Sequence, residues 1–188
     1  MTCRGTSPLL MHNGRLVDPL DPIVKKIKEV SSKRAKTDQD HEDMAKLEWV
    51  GGIYFDASVG PFIPAPNLMK CLVESARLSR NGKKIERGLF FETIMIPLVY
   101  DGPRDLETLY NAGSFRHRVP VTINKAKVMR TRPVFTQWAF RAEGAFDGAV
   151  LDFTHLISAA RTAGQMIGLG DCRPLYGRFT CELEELTP

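Results

Sequence analysis

Apolar residues return at helical spacing in four stretches of the chain and form short continuous or alternating runs between them. Asp21 and Pro22 supply an N-cap and a first helical residue, after which Ile23, Val24, Ile27 and Val30 share one face while Lys25, Lys26, Lys28 and Glu29 face water. The polar stretch Ser31 to Asp40 breaks this helix before a second, Asp40 to Leu47, whose buried side is marked by Met44 and Leu47. A third helix, capped by Asn67, carries Leu68, Met69, Leu72, Val73 and Ala76 and stops at Asn81-Gly82. The fourth begins at Asp152 and lines up Phe153, Leu156, Ile157, Ala160, Ala163, Gly164 and Ile167.

The runs between these helices predict strands. Ser7 to Gly14 reads as a strand end entering an Asn-Gly turn, with little length left for a full first strand. Trp49 to Phe55 is strand-like, and Asp56 to Gly60 turns the chain back through Pro61, Phe62 and Ile63. Leu89 to Tyr100 is rich in β-branched and aromatic residues, with an edge or bulge at Pro97. Val119 to Met129 and Val134 to Ala142 form paired runs joined around Arg130-Thr131-Arg132-Pro133, and Gly177 to Leu183 is the last strand. This order predicts an α+β chain with a ferredoxin-like or RRM-like antiparallel sheet and helices on one face. Residues 1–188 are read as one domain, with 21–48 as a helical insertion or arm and 119–142 as a basic β-hairpin.

Composition narrows the class. No apolar run approaches the roughly 20 residues that span a bilayer, and the first residues lack the apolar core of a secretory signal, so no membrane partner and a cytoplasmic location are expected. Cys3, Cys71, Cys172 and Cys181 are scattered with no C-x-x-C pair, which predicts four reduced thiols. His41, His117 and His155 offer no H-x-x-x-H spacing, so neither a metal nor a cofactor is expected.

The net charge of +4 matters less than its distribution. From Thr108 to Ala142 there is no Asp or Glu, while Arg116, Arg118, Lys125, Lys127, Arg130, Arg132 and Arg141 fall inside that span. Acids gather instead at Asp38 to Asp43 and at Glu182 to Glu185. Arg130 and Arg132 with Phe135 and Trp138 close behind join cations to flat rings, a pairing suited to single-stranded nucleic acid. Phe135 and Trp138 differ by an odd number of positions, so at least one belongs to the core. Lys83, Lys84, Arg116 and Arg118 are weaker candidates for the same surface.

Gly164 to Phe179 leaves a helix, passes through Gly168, Gly170 and Gly177, and enters the last strand past Arg173 and Arg178, a combination that suits close approach to an anion. It follows a helix and precedes a strand, the reverse of a dinucleotide site, and it lacks a P-loop ending. Catalytic material is thin: His12 is a lone general-base candidate, and no serine sits in a G-x-S-x-G elbow.

Two segments carry a resemblance. Pro61-Phe62-Ile63-Pro64-Ala65-Pro66-Asn67-Leu68-Met69-Lys70 resembles the strand-to-helix entry of the RAMP superfamily, the repeat-associated proteins of CRISPR effector complexes, with Ala65-Pro66 in place of its Gly-Ser pair. Gly168-Leu169-Gly170 through Arg173 to Gly177 resembles that superfamily's C-terminal glycine-rich loop. The Thr6-to-Asn13 opening and the Gly168-to-Phe179 ending are also similar to those of a group of small bacteriophage proteins.

The resemblance implies a modified RRM core that binds single-stranded RNA and stacks side by side along it, with the glycine loop on the backbone and the Arg130 hairpin as an arm between subunits. The expectation is therefore a non-catalytic, oligomerising protein that binds single-stranded RNA or DNA through Lys125, Lys127, Arg130, Arg132, Gly168, Gly170, Arg173 and Arg178. One alternative is a ring- or filament-forming structural protein without nucleic acid. Another is an RNA endonuclease using His12.

Overall fold

A computed structural model describes residues 1–186. In chain order its elements are β1 (Thr2–Gly5), β2 (Leu9–Leu10), α1 (Pro22–Ser31), α2 (Asp38–Gly52), β3 (Phe55–Asp56), β4 (Gly60–Pro64), α3 (Ala65–Arg77) and α4 (Gly82–Gly88). There follow β5 (Leu89–Phe91), β6 (Met95–Pro97), α5 (Leu106–Asn111), β7 (Arg116–Ile123), β8 (Ala126–Phe135), β9 (Ala139–Arg141), β10 (Gly144–Phe146), α6 (Phe153–Thr162) and β11 (Phe179–Glu182). The class is α+β, with small antiparallel sheets. Two compact units form: Met1–Leu9, Asp56–Asp101 and Phe135 onward make one, and Leu10–Phe55 with Gly102–Val134 make the other.

In the first unit, β1 lies between β11 and β9, both antiparallel to it, so the opening residues form a central strand where the sequence predicts little room for one. A strand of four residues suffices because both its edges are paired. Cys3, Phe140 and Phe179 are buried on one face of this sheet, along with Leu68, Cys71, Leu72 and Leu156 from α3 and α6. The Ser75 hydroxyl of α3 donates to the Ala159 carbonyl of α6 at 2.8 Å, tying the two helices together.

Several boundaries in this unit differ from expectation. α3 begins at Ala65, ahead of Asn67, because the Ala65 amide is satisfied by the Ile94 carbonyl at 2.9 Å and Pro66 has no N–H to leave unpaired. It ends at Arg77, and after a turn with Arg80 at φ 60 the chain starts α4 at Gly82, a second helix the sequence reading lacks. Leu89 to Tyr100 is two strands, with Pro97 paired to Phe62 at the end of β6. α6 starts after its Asp152 cap as expected, and continues from Ala163 to Ile167 as a wider π turn.

In the second unit, α1 forms where its Asp21 cap and Pro22 place it. α2 starts two residues earlier than expected and runs to Gly52, so Trp49 to Gly52 is helical and not strand. A capping box fixes its start: the Thr37 hydroxyl accepts from the Asp40 amide, and the Asp40 carboxylate accepts from the Thr37 amide at 2.9 Å. A hydrogen bond from Lys33, with the Thr37 contacts, holds the Asp40 carboxyl down to about 2. Trp49 is fully buried near the other end, its indole donating to the Phe115 carbonyl at 2.7 Å and its ring edge-on to Tyr110 with centroids 5.4 Å apart. Asp105 caps α5, another short helix absent from the sequence reading, by accepting from the Thr108 amide at 2.8 Å.

The hairpin of this unit is displaced from its expected position. β7 and β8 pair from Arg116↔Pro133 to Ile123↔Ala126, and the turn is Asn124-Lys125, with φ of 48° and 67°. Positive φ at both central residues of a two-residue loop matches the right-handed twist of the strands. Arg130 to Pro133 therefore lies within a strand, not at a hairpin tip.

Candidate nucleic-acid interface

Strand alternation divides the cations of the hairpin between its two faces. Directly opposed residues share a face, so Arg116, Arg118, Thr122, Lys127, Met129 and Thr131 lie on one side. His117, Val119, Val121, Ile123, Val128, Arg130 and Arg132 lie on the other. Arg116, Arg118, Lys125 and Lys127 are exposed, whereas Arg130 and Arg132 are half-buried.

The two arginine sets meet different surroundings. Arg130 donates to one oxygen of Glu48, a residue of α2 that is 8% exposed, while the other oxygen accepts from the Thr131 amide at 2.8 Å. Arg130 and Arg132 also border a cavity of about 530 Å³ lined by His12, Leu16, Ile27, Glu48 and Val121. His117 stands opposite Arg132 in the ladder; burial, and then the Arg132 charge, push its imidazole below the ordinary histidine range. On the first face, the Arg116 guanidinium lies over the Tyr110 ring, 4.8 Å from its centroid. Arg116 and Arg118 form one wall of a groove of about 700 Å³ whose α2 side carries Glu42, Asp43 and Lys46. Arg118, Lys125 and Lys127 form no ion pair among the described residues.

The glycine loop belongs to the first unit and is built against its own chain. Gly168, Gly170 and Gly177 have φ of 79°, 77° and 75°. A Cβ on Gly177 would lie 1.7 Å from the Leu169 carbonyl oxygen, and one on Gly164 would lie 2.0 Å from that of Phe179. Glycine is thus required at both positions by close packing, at Gly177 within the loop and at Gly164 where the π turn passes the first residue of β11. The Leu169 amide donates to Gly177, the Gly177 amide to Pro8, and the Arg178 amide to the Ser7 hydroxyl at 2.9 Å. Arg173 pairs with Glu74 at 3.0 Å, and the Arg178 side chain donates to the Pro174 carbonyl at 2.8 Å.

The expected aromatic platform is missing from the surface. Phe135 is fully buried and edge-on to Tyr100, and Trp138 is 4% exposed, with its indole donating to the Ser7 carbonyl at 2.8 Å. Both rings are core, so neither offers a face to a base. Lys83 and Lys84 are exposed on α4. Among the described residues no group of His, Cys, Asp and Glu is arranged to hold a metal ion, and no helix is long and apolar enough to cross a membrane.

Sequence reasoning located the acid-free span but not Glu48, Tyr110 or His117. Glu48 was hidden by the strand-like reading of the residues after it, and Tyr110 by the missed α5. In comparisons with known proteins, no family model, no curated protein and no solved structure matches the chain.

Proposed function

We propose that this protein binds single-stranded nucleic acid, RNA foremost, without catalysing a reaction on it, and that it self-associates in doing so. The observation that carries the reading is the trio Arg118, Lys125 and Lys127: exposed cations without internal carboxylate partners on a hairpin from a 35-residue acid-free span, Thr108 to Ala142. Along a strand, the four residue steps from Arg118 to Thr122, which faces Lys127, cover about 13 Å, long enough to follow several units of a polyanion backbone. Arg130 and Arg173 are already neutralised by Glu48 and Glu74 and serve to hold the fold. Arg132 and Arg178 are secondary contacts in this reading, with Gly168 and Gly170 allowing close approach of the loop backbone.

Topology supports a ferredoxin-like core for the first unit. Following the chain, β1, α3, β6, β9, α6 and β11 give a β-α-β-β-α-β order. The sheet order β11-β1-β9, extended by the Val99↔Ala139 bridge beside β6, is the order such a core requires. The resemblance to the RAMP superfamily points the same way. The exposed positions of β1 and β11 are Thr2, Arg4, Thr180 and Glu182, so stacking of bases on that sheet, as on an RRM, is not part of the proposal.

Self-assembly without nucleic acid is the second reading, favoured by the exposed Ile123 and Met129 on the same hairpin. The test is to purify the protein at low salt and record its ultraviolet spectrum and native mass before and after RNase and DNase treatment. The proposal expects an absorbance maximum near that of nucleic acid and a mass that falls on RNase treatment. A nuclease-insensitive oligomer with a pure protein spectrum would support the second reading instead.

A further inference from the structure

Cys3 and Cys181 stand directly opposite each other on the antiparallel strands β1 and β11, and their sulfurs are 2.7 Å apart. The Thr6 amide donates to the Arg178 carbonyl, so alternation along the ladder makes Cys3↔Cys181 a non-hydrogen-bonded pair, the kind whose side chains come closest. At such a position the Cα atoms are about 4.5 Å apart, within the range a disulfide bridges without moving the backbone. Cys71 lies in α3 and Cys172 in the loop before β11, outside the paired strands.

We infer that Cys3 and Cys181 are a redox-responsive pair that closes to a cross-strand disulfide when a low-molecular-weight disulfide such as glutathione disulfide is available. Cys3 is fully buried and Cys181 partly exposed, so the oxidant meets Cys181 first. The Cys181 thiolate attacks one sulfur of the oxidant, forming a mixed disulfide and releasing one thiolate. The Cys3 sulfur then displaces the second thiol from Cys181, and its proton leaves with that group. Two protein thiols are oxidised to one cystine, and one small disulfide is reduced to two thiols. Burial pushes the Cys3 thiol up, so Cys3 acts as the resolving group and not as the first nucleophile.

The bond would join residues 178 positions apart, tying the first strand to the last and closing almost the whole chain into one loop. Long loops gain most from such closure. The pair remains a dithiol in a reducing cytoplasm and closes on passage to an oxidising compartment. This inference does not depend on nucleic-acid binding.

The full-length protein is incubated with glutathione disulfide, trapped with an alkylating agent, digested without reduction and mapped by mass spectrometry, with thermal unfolding followed in parallel. A peptide linking Cys3 to Cys181 is expected, with a melting temperature raised by about 5–15 °C and restored by dithiothreitol. Cys181→Ser should lose both the linked peptide and the reversible shift. Recovery of Cys3 as a free thiol after prolonged oxidation, or of Cys181 only as its glutathione adduct, would overturn the inference from the wild-type map alone, whether or not the variant folds.

Discussion

Glu48 of α2 grips β8 at two successive residues, one carboxylate oxygen taking the Arg130 guanidinium and the other the Thr131 amide. Both partners lie in the second unit, and Thr131 is buried. The pair therefore fixes the hairpin to the helix and also withdraws Arg130 from the positive field of its neighbours.

Removing that carboxylate should be costly. Glu48→Ala leaves a buried amide and a half-buried guanidinium unpaired, and should destabilise by about 2–4 kcal/mol, while Glu48→Gln, which keeps an acceptor for Thr131, should cost about 1–2 kcal/mol. Urea unfolding of both variants checks this, and equal losses would mean that the acceptor kept by Gln contributes nothing and the charge carries the whole effect.

The glycine loop at Gly177 and the π turn that leads into it at Gly164 should each tolerate no side chain. Gly164→Ala and Gly177→Ala each place a methyl group against a backbone carbonyl, and Gly177 has positive φ as well. Each should cost more than about 2 kcal/mol in denaturant midpoint, among the larger effects of single substitutions. Gly148→Ala, where an added Cβ meets no atom within 4 Å, is the matched control and should be nearly neutral.

His117 gives the hairpin a dependence on pH. Its imidazole is held below the ordinary range by burial and then by Arg132, so the folded protein takes up this proton less readily than the unfolded chain. The contribution is fully present above the unfolded histidine value of about 6.5 and is lost as pH falls through that value toward the folded one. Wild-type melting temperature should decline from pH 7.5 to 5.5, and His117→Gln should flatten that decline. An unchanged slope in the variant would assign the pH dependence elsewhere.

How much of this was legible in the sequence depends on how local the signal is. α1 and α6 were placed correctly because Asp21-Pro22 and Asp152 are cap signals that need nothing from the rest of the chain. Trp49 to Gly52 read as strand because it is aromatic and β-branched at its start, yet the Thr37–Asp40 capping box and burial of Trp49 against Tyr110 carry the helix through it. The hairpin register was misplaced because Pro133 resembles a turn residue, whereas the real turn places Lys125, an unusual choice, at positive φ.

The candidate surface was half legible. The absence of acids from Thr108 to Ala142 was plain, and so was the parity that buries at least one of Phe135 and Trp138. The same parity separates Lys127 from Arg130 and Arg132, but which set stays unpaired depends on Glu48, a contact from 82 residues away. Only the folded chain reveals that the arginines most prominent in the sequence are not the ones left unpaired.

The central claim is tested most directly by the salt dependence of binding to a fluorescent single-stranded oligouridylate, measured by anisotropy for wild type and for the triple variant Arg118→Ala, Lys125→Ala, Lys127→Ala. Each phosphate contact contributes about 0.7 to the slope of log affinity against log salt for a single strand, so the variant should lose affinity with a slope shallower by about 2. Arg130→Ala, after correction for stability, should leave the slope unchanged. Wild-type protein that shows no salt-dependent binding, or a triple variant with the wild-type slope, would contradict the account.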